Sequence, residues 1–174
     1  MILWMFTNKM NEATLNESVL QKWAIGNKGE LLVSIPSDKK LFKELTDGKV
    51  VIGGRKTMEA LPGGTTLGGR TNVILTSDTK YSYGNAIIVH SMDEALEELK
   101  KYNDEDIFVI GGEKVYKEFM PYCDHAYITK IDYAYEADAY LENIEKSDEW
   151  IMTHDSDEWT YYDLEYYFYQ YRRK

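Results

Sequence analysis

Short apolar runs alternate with amphipathic ones along the middle of the chain. Residues 50–52, 73–75, 86–89, 107–110 and 127–131 are brief, rich in β-branched side chains and bounded by polar or glycine positions, so they predict buried strands. Between them apolar residues recur at helical spacing. Residues 38–45 place Leu41, Phe42 and Leu45 on one face. Residues 91–100 turn Ala95, Leu96 and Leu99 inward, with Ser91 as N-cap and Glu94 at the capping-box position. Strand and helix in alternation predict an α/β fold with a mostly parallel central sheet, helices on both faces, and ligands at the carboxyl ends of the strands.

The two ends of the chain extend this picture. Residues 1–6 form an apolar run too short to span a membrane and read as a first core strand. Near the other end, residues 159–172 alternate with period two: Tyr162, Leu164, Tyr166 and Phe168 share a face opposite Asp163 and Glu165. With residues 150–153 they predict a terminal antiparallel pair at the sheet edge. Residues 63–69 hold four glycines and read as a loop. No domain-sized repeat or interdomain linker appears, so residues 1–174 are expected to form one domain, large enough to bury a core.

Two predicted strands run straight into a glycine pair and then a helix start, at Gly53-Gly54-Arg55-Lys56-Thr57 and at Gly111-Gly112-Glu113-Lys114-Val115-Tyr116. Glycine lets backbone N–H groups come close to a ligand where the positive end of a helix dipole already favours an anion. The first corner adds two cations; the second, with Glu113 beside Lys114, adds no net charge. Such a pair suits a long, unevenly charged ligand such as a phosphorylated dinucleotide, although the spacing is not the GxGxxG of an ordinary Rossmann site.

Charge and cysteine content narrow the partners. Thirty acidic against 20 basic residues give a net charge of −10, which opposes nucleic-acid binding. An anionic cofactor needs a local cationic patch, for which Arg55, Lys56 and Arg70 are the candidates. Cys123 is the one cysteine, so no internal disulfide forms, and a reducing cytoplasm is the expected compartment, with neither a membrane span nor a metal site. Asp38 follows Pro36 and Ser37 at a helix start and lies four residues before Phe42, so one helix face offers a carboxylate and an aromatic ring to the same space. An acidic residue at a helix start also serves simply as a dipole partner.

Five blocks in order carry a resemblance to a known family: Pro36-x-Asp38 with Phe42; Gly54-Arg55-Lys56-Thr57; Arg70-x-Asn72-Val73-Ile74-Leu75-Thr76; Val109-Ile110-Gly111-Gly112-Glu113-Lys114-Val115-Tyr116; and Tyr127-Ile128-Thr129-Lys130-Ile131-Asp132. Together they resemble dihydrofolate reductase, most clearly over residues 35–138. The resemblance implies a dihydrofolate reductase-like three-layer fold ending in an antiparallel hairpin. It implies a monomer that reduces 7,8-dihydrofolate with NADPH, by hydride transfer to C6 and protonation of N5, the proton arriving through water.

It also assigns residues. Asp38 matches the acidic residue that pairs with the pterin, and Thr129 the threonine joined to it. Phe42, Leu61 and Leu67 match residues lying against the substrate, and Arg70 the arginine that grips its glutamate carboxylate. Arg55 and Lys56 match the cations at the adenosine 2′-phosphate, with Gly54, Thr57, Thr76 and Ser77 around them. Gly111 and Gly112 match a glycine pair held in a cis peptide; Glu113, Lys114 and Val115 follow, and Tyr116 is expected beside the nicotinamide. Core packing would account equally for Leu61, Leu67, Thr129 and Tyr116.

Three departures stand out. Val33 occupies the place of a usual tryptophan, for which Trp23 is a spatial substitute to test; Lys39 replaces an apolar residue; and residues 138–142 lack the usual sequence. Two other readings stay open, the pyrimidine reductase of riboflavin synthesis and an NADPH-binding protein that has lost catalysis.

Overall fold

In the computed structural model, residues 1–8, 22–28 and 32–174 are described. The first strand, β1 (Ile2–Asn8), lies in the middle of the sheet, between β6 (Ile107–Gly111) and β7 (His125–Ile131), parallel to both. Beyond β6 follow β3 (Val50–Gly54), β4 (Thr71–Leu75) and β5 (Ile87–Val89), all parallel. Every strand expected from the apolar runs is present.

Period-two alternation splits the core between the two faces of this sheet. Val50, Ile52, Val73, Ile107, Val109, Ala126 and Ile128 point to one side, where they meet Ala95 and Leu99 of α3 (Met92–Leu99) and Val115, Tyr116 and Phe119 of α4 (Glu113–Phe119). Val51, Ile74, Phe108 and Ile110 point to the other, against Leu41, Phe42 and Leu45 of α1 (Pro36–Thr46) and Met58 of α2 (Arg55–Glu59). Helices therefore cover both faces, as the alternation predicts. Ser91 caps α3 by accepting from the Glu94 N–H at 3.2 Å. The Glu94 carboxylate accepts from the His90 N–H at 2.7 Å, one residue outside the expected capping box.

The carboxyl-terminal part departs from expectation in one respect. Residues 159–172 are not one extended run: β10 (Trp159–Tyr161) turns back into β11 (Leu164–Arg173), with Tyr162 at the turn, φ 51° and 84% exposed. Aromatic alternation continued through the turn and concealed it. β11 pairs antiparallel with β7 along one edge, and with β10 and β9 (Trp150–Asp155) along the other. β2 (Lys22–Gly26) joins β1 to β8 (Ala139–Glu142), antiparallel to both.

Trp23 on β2 is buried against Tyr171, 6.4 Å between ring centroids, as a core residue. Val33 packs with Ile35, Ile131 and Tyr166. Asp138 accepts from the Lys28 N–H with both oxygens at 3.0 Å, securing the turn after β2. Most of the long segment between the first strand and Ile25 falls outside the described residues. Cys123 is buried, and burial pushes its thiol up to about 12, so it is an inert core side chain.

Candidate active site

α1 starts at Pro36, whose fixed φ suits the first helical turn, and no side chain caps it. Asp38 in that turn faces inward and is 9% exposed. The same alternation that turns Tyr127 toward α1 turns Thr129 there too, and the Thr129 hydroxyl donates to Asp38 Oδ1 at 2.6 Å. Burial is the largest influence on the Asp38 carboxyl and raises its pKa from 3.8 to about 6, against the opposing pull of the Thr129 hydrogen bond and of Lys39. Lys39 itself is exposed and is the weakest of the three. A cation after Asp38 thus leaves the carboxyl raised rather than depressed.

One turn along α1, the Phe42 ring lies 5.6 Å from the Arg70 guanidinium. Arg70 is held at three points: Nε donates to Thr46 Oγ1 at 2.7 Å, Nη1 to the Gly68 carbonyl at 2.9 Å, and Nη2 to the Lys43 carbonyl at 3.3 Å. The Thr46 hydroxyl in turn donates to the Phe42 carbonyl at 2.6 Å. Buried Asn72 fixes the loop before β4, accepting from the Leu67 N–H and donating to the Leu67 and Arg70 carbonyls. Leu61 and Leu67 pack with Phe42 in the same apolar cluster. The expected substrate-side residues thus lie on one face of the sheet.

The glycine pairs adjoin each other at the carboxyl ends of β3 and β6. A Cβ on Gly53 would lie 3.1 Å from the Gly111 carbonyl, and one on Gly111 only 2.7 Å from the Tyr116 ring. Gly111 has φ +100°, open to glycine alone, and the Gly111–Gly112 peptide is cis. Tyr116 is buried against this corner; desolvation first, then the charge of Asp38, raises its hydroxyl pKa. That coupling puts the corner in electrostatic reach of the carboxylate.

Beside the corner opens a cleft of about 370 Å³. Gly54, Arg55, Lys56, Thr57, Thr76, Ser77, Gly112, Glu113, Lys114 and Val115 line it, while Gly111 and Tyr116 stand behind its wall. The ionic groups are unequally available. Arg55 pairs with Glu59 at 3.2 Å, and Lys114 sits 3.8 Å from Glu118. The Glu113 carboxylate is taken up by Lys117 and by the Tyr140 N–H. Lys56 forms no ion pair among the described residues.

The cleft also includes Leu75, His90, Ser91, Met92 and Glu118, which the sequence reading missed. His90 and Ser91 follow β5 directly, and the rule that ligands gather beyond the carboxyl ends of parallel strands was the signal available. His90 Nδ1 donates to the Thr76 carbonyl at 3.0 Å, since a carbonyl only accepts.

Comparison with known proteins gives the family. The dihydrofolate reductase family model matches residues 17–173. The chain belongs to the dihydrofolate reductase family. Among its relatives, the dihydrofolate reductase of Staphylococcus haemolyticus is 33% identical over 157 residues, covering 88% of this chain and 90% of that protein. That of Bacillus subtilis (strain 168) is 32% identical over 149 residues, covering 84% and 86%. A solved dihydrofolate reductase from Enterococcus faecalis, complexed with NADP(H) and RAB-propyl, superposes with a TM-score of 0.77 at 29% identity, covering 99% of this chain and 96% of that one. The three-layer fold expected from the resemblance is the family's own.

Proposed function

We propose that this chain reduces 7,8-dihydrofolate to 5,6,7,8-tetrahydrofolate with NADPH. The observation that carries the reading is the buried Asp38 carboxylate, fixed by Thr129 and near enough to Tyr116 for its charge to raise that hydroxyl's pKa. A carboxylate costs free energy to bury, so its retention in an otherwise apolar pocket fits a ligand with N–H donors to meet it. Thr129 occupies Oδ1, and Oδ2 completes a two-point pairing with the 2-amino and ring N–H groups of the pterin. Phe42 gives the pterin an apolar wall, Leu61 and Leu67 flank the aminobenzoyl group, and Arg70 binds the glutamate carboxylate.

The donors around the cleft fit a phosphorylated dinucleotide: backbone N–H groups at Gly54 and Gly112, hydroxyls at Thr57, Thr76 and Ser77, and cations at Arg55, Lys56 and Lys114. Bound NADPH supplies the hydride that C6 receives. The protein's part is alignment: Asp38 and Thr129 orient the pterin edge, Val115 and Tyr116 back the nicotinamide side, and the apolar walls limit water to what protonates N5. Glu113, engaged with Lys117 and Tyr140, shapes this edge of the cleft rather than meeting phosphate directly.

Residues 1–174 act as one domain on this reading. A monomer is the state proposed, and the buried lone cysteine fits a cytoplasmic setting. Among the described residues, no helix is long and apolar enough to cross a membrane. Purified protein mixed with NADPH and dihydrofolate tests the assignment: dihydrofolate-dependent oxidation of NADPH is expected, and the absence of both turnover and pterin binding would refute it.

A further inference from the structure

Arg55 does not hang free at the edge of the cleft. Its guanidinium sits over the Tyr81 ring, 5.9 Å from the centroid, while Nη1 reaches Glu59 at 3.2 Å. Tyr81 in turn is stacked on Tyr83, with centroids 6.2 Å apart and planes within 10° of parallel. The Tyr83 hydroxyl donates to the Met58 carbonyl at 3.5 Å, and Met58, on the same short helix as Arg55, is wholly buried. The loop that leaves the cleft at Thr76 and Ser77 therefore folds back beneath α2 and offers an aromatic face to the one arginine there. Desolvation and then the neighbouring Glu59 carboxylate push the Tyr81 hydroxyl up to about 12, no hydrogen bond of ordinary geometry fixes that oxygen among the described residues, and it is the ring that faces Arg55.

We infer that Tyr81 is a positioning residue for cofactor choice: its ring holds the Arg55 guanidinium at the mouth of the cleft, aligned for the 2′-phosphate that distinguishes NADPH from NADH. The inference rests on the reading of Arg55 given above. An arginine on a flexible stem loses rotamer freedom when it binds a phosphate, and an aromatic platform removes part of that freedom beforehand. Glu59 also restrains Arg55, but its negative charge opposes a phosphate arriving beside it. The ring therefore provides the restraint that costs no repulsion. Tyr81 is absent from the lining of the cleft, so its effect passes through Arg55.

Dissociation constants for NADPH and NADH, measured by fluorescence titration on the full chain and its variants, decide the matter. Tyr81→Leu is expected to weaken NADPH about two- to fivefold while leaving NADH within error, and Tyr81→Phe to behave as the parent, since the face survives without the hydroxyl. Equal weakening of both cofactors by Tyr81→Leu would mean a merely structural role and overturn the inference, as would no change in either. If Tyr81→Leu fails to fold, Phe rings of increasing fluorination at position 81 keep the shape and drain the π face. NADPH affinity should then fall stepwise with fluorination, and a flat series contradicts the inference. Arg55→Ala separates the two layers. Loss of NADPH preference there with an unaltered Tyr81→Leu refutes the role of Tyr81 alone; an unchanged preference in Arg55→Ala refutes the reading of Arg55 and this inference with it.

Discussion

The Thr129 hydroxyl donates to Asp38 Oδ1 across 2.6 Å, joining buried residues 91 positions apart in the chain. Helix α1 and strand β7 meet at this polar contact, where the hydrogen bond orients both side chains and pulls against the burial that raises the Asp38 carboxyl. Removing the donor strips a charge-assisted hydrogen bond from a carboxylate. Thr129→Val is expected to raise KM for dihydrofolate about tenfold or more, with a smaller effect on NADPH binding. Steady-state kinetics with each substrate varied in turn checks it.

The raised pKa of Asp38 makes a prediction about stability. Its folded value is about 6 against 3.8 for an unperturbed carboxyl, so between those values the native state holds more protons than the unfolded one. Stability contributed by this group therefore falls as pH rises through that window and is flat above it. Two units correspond to roughly 3 kcal/mol at most. Ligand-free Asp38→Asn should lack this pH dependence and, at neutral pH, melt higher than the parent by about 2–6 °C. Urea titrations from pH 4 to pH 8 would read it, and identical pH profiles for parent and variant would contradict it.

Gly111 lies at φ +100° with its missing Cβ 2.7 Å from the Tyr116 ring. Gly111→Ala meets both a steric and a conformational penalty and is expected to cost roughly 2–4 kcal/mol. Trimming the ring relieves only the first, so Gly111→Ala with Tyr116→Leu should recover part of that loss and no more. A double-mutant cycle on chemical denaturation measures the coupling.

Lys56 lines the cleft without an ion-pair partner among the described residues. Lys56→Gln is expected to weaken NADPH about fivefold and NADH hardly at all, the difference shrinking as salt is raised because exposed charges are screened. Titrations at two ionic strengths suffice.

Much of this was legible in the sequence because the signals are local. Apolar runs fixed the parallel strands, Ser91 marked a helix start, and glycines after two strands marked adjoining corners. The pairing of Asp38 with Thr129 could be read only through family resemblance, since no local pattern links a helix start to a strand so far along the chain. Contacts that depend on loop return stayed hidden for the same reason: His90 at the cleft, Tyr81 beneath Arg55, Asn72 holding Leu67 and Arg70. The short turn at Tyr162 escaped because alternation in an aromatic-rich segment reads the same in one strand or two. Arg55 was legible as a cation at the first glycine corner, but its pairing with Glu59 was not.

The most direct measurement compares the dihydrofolate-dependent rate of NADPH oxidation in the parent and Asp38→Asn, with NADPH affinity measured alongside. The account predicts a loss in kcat/KM of about a hundredfold or more, with cofactor affinity preserved. A parent with no such rate, or a variant that turns over as fast as the parent, would contradict it.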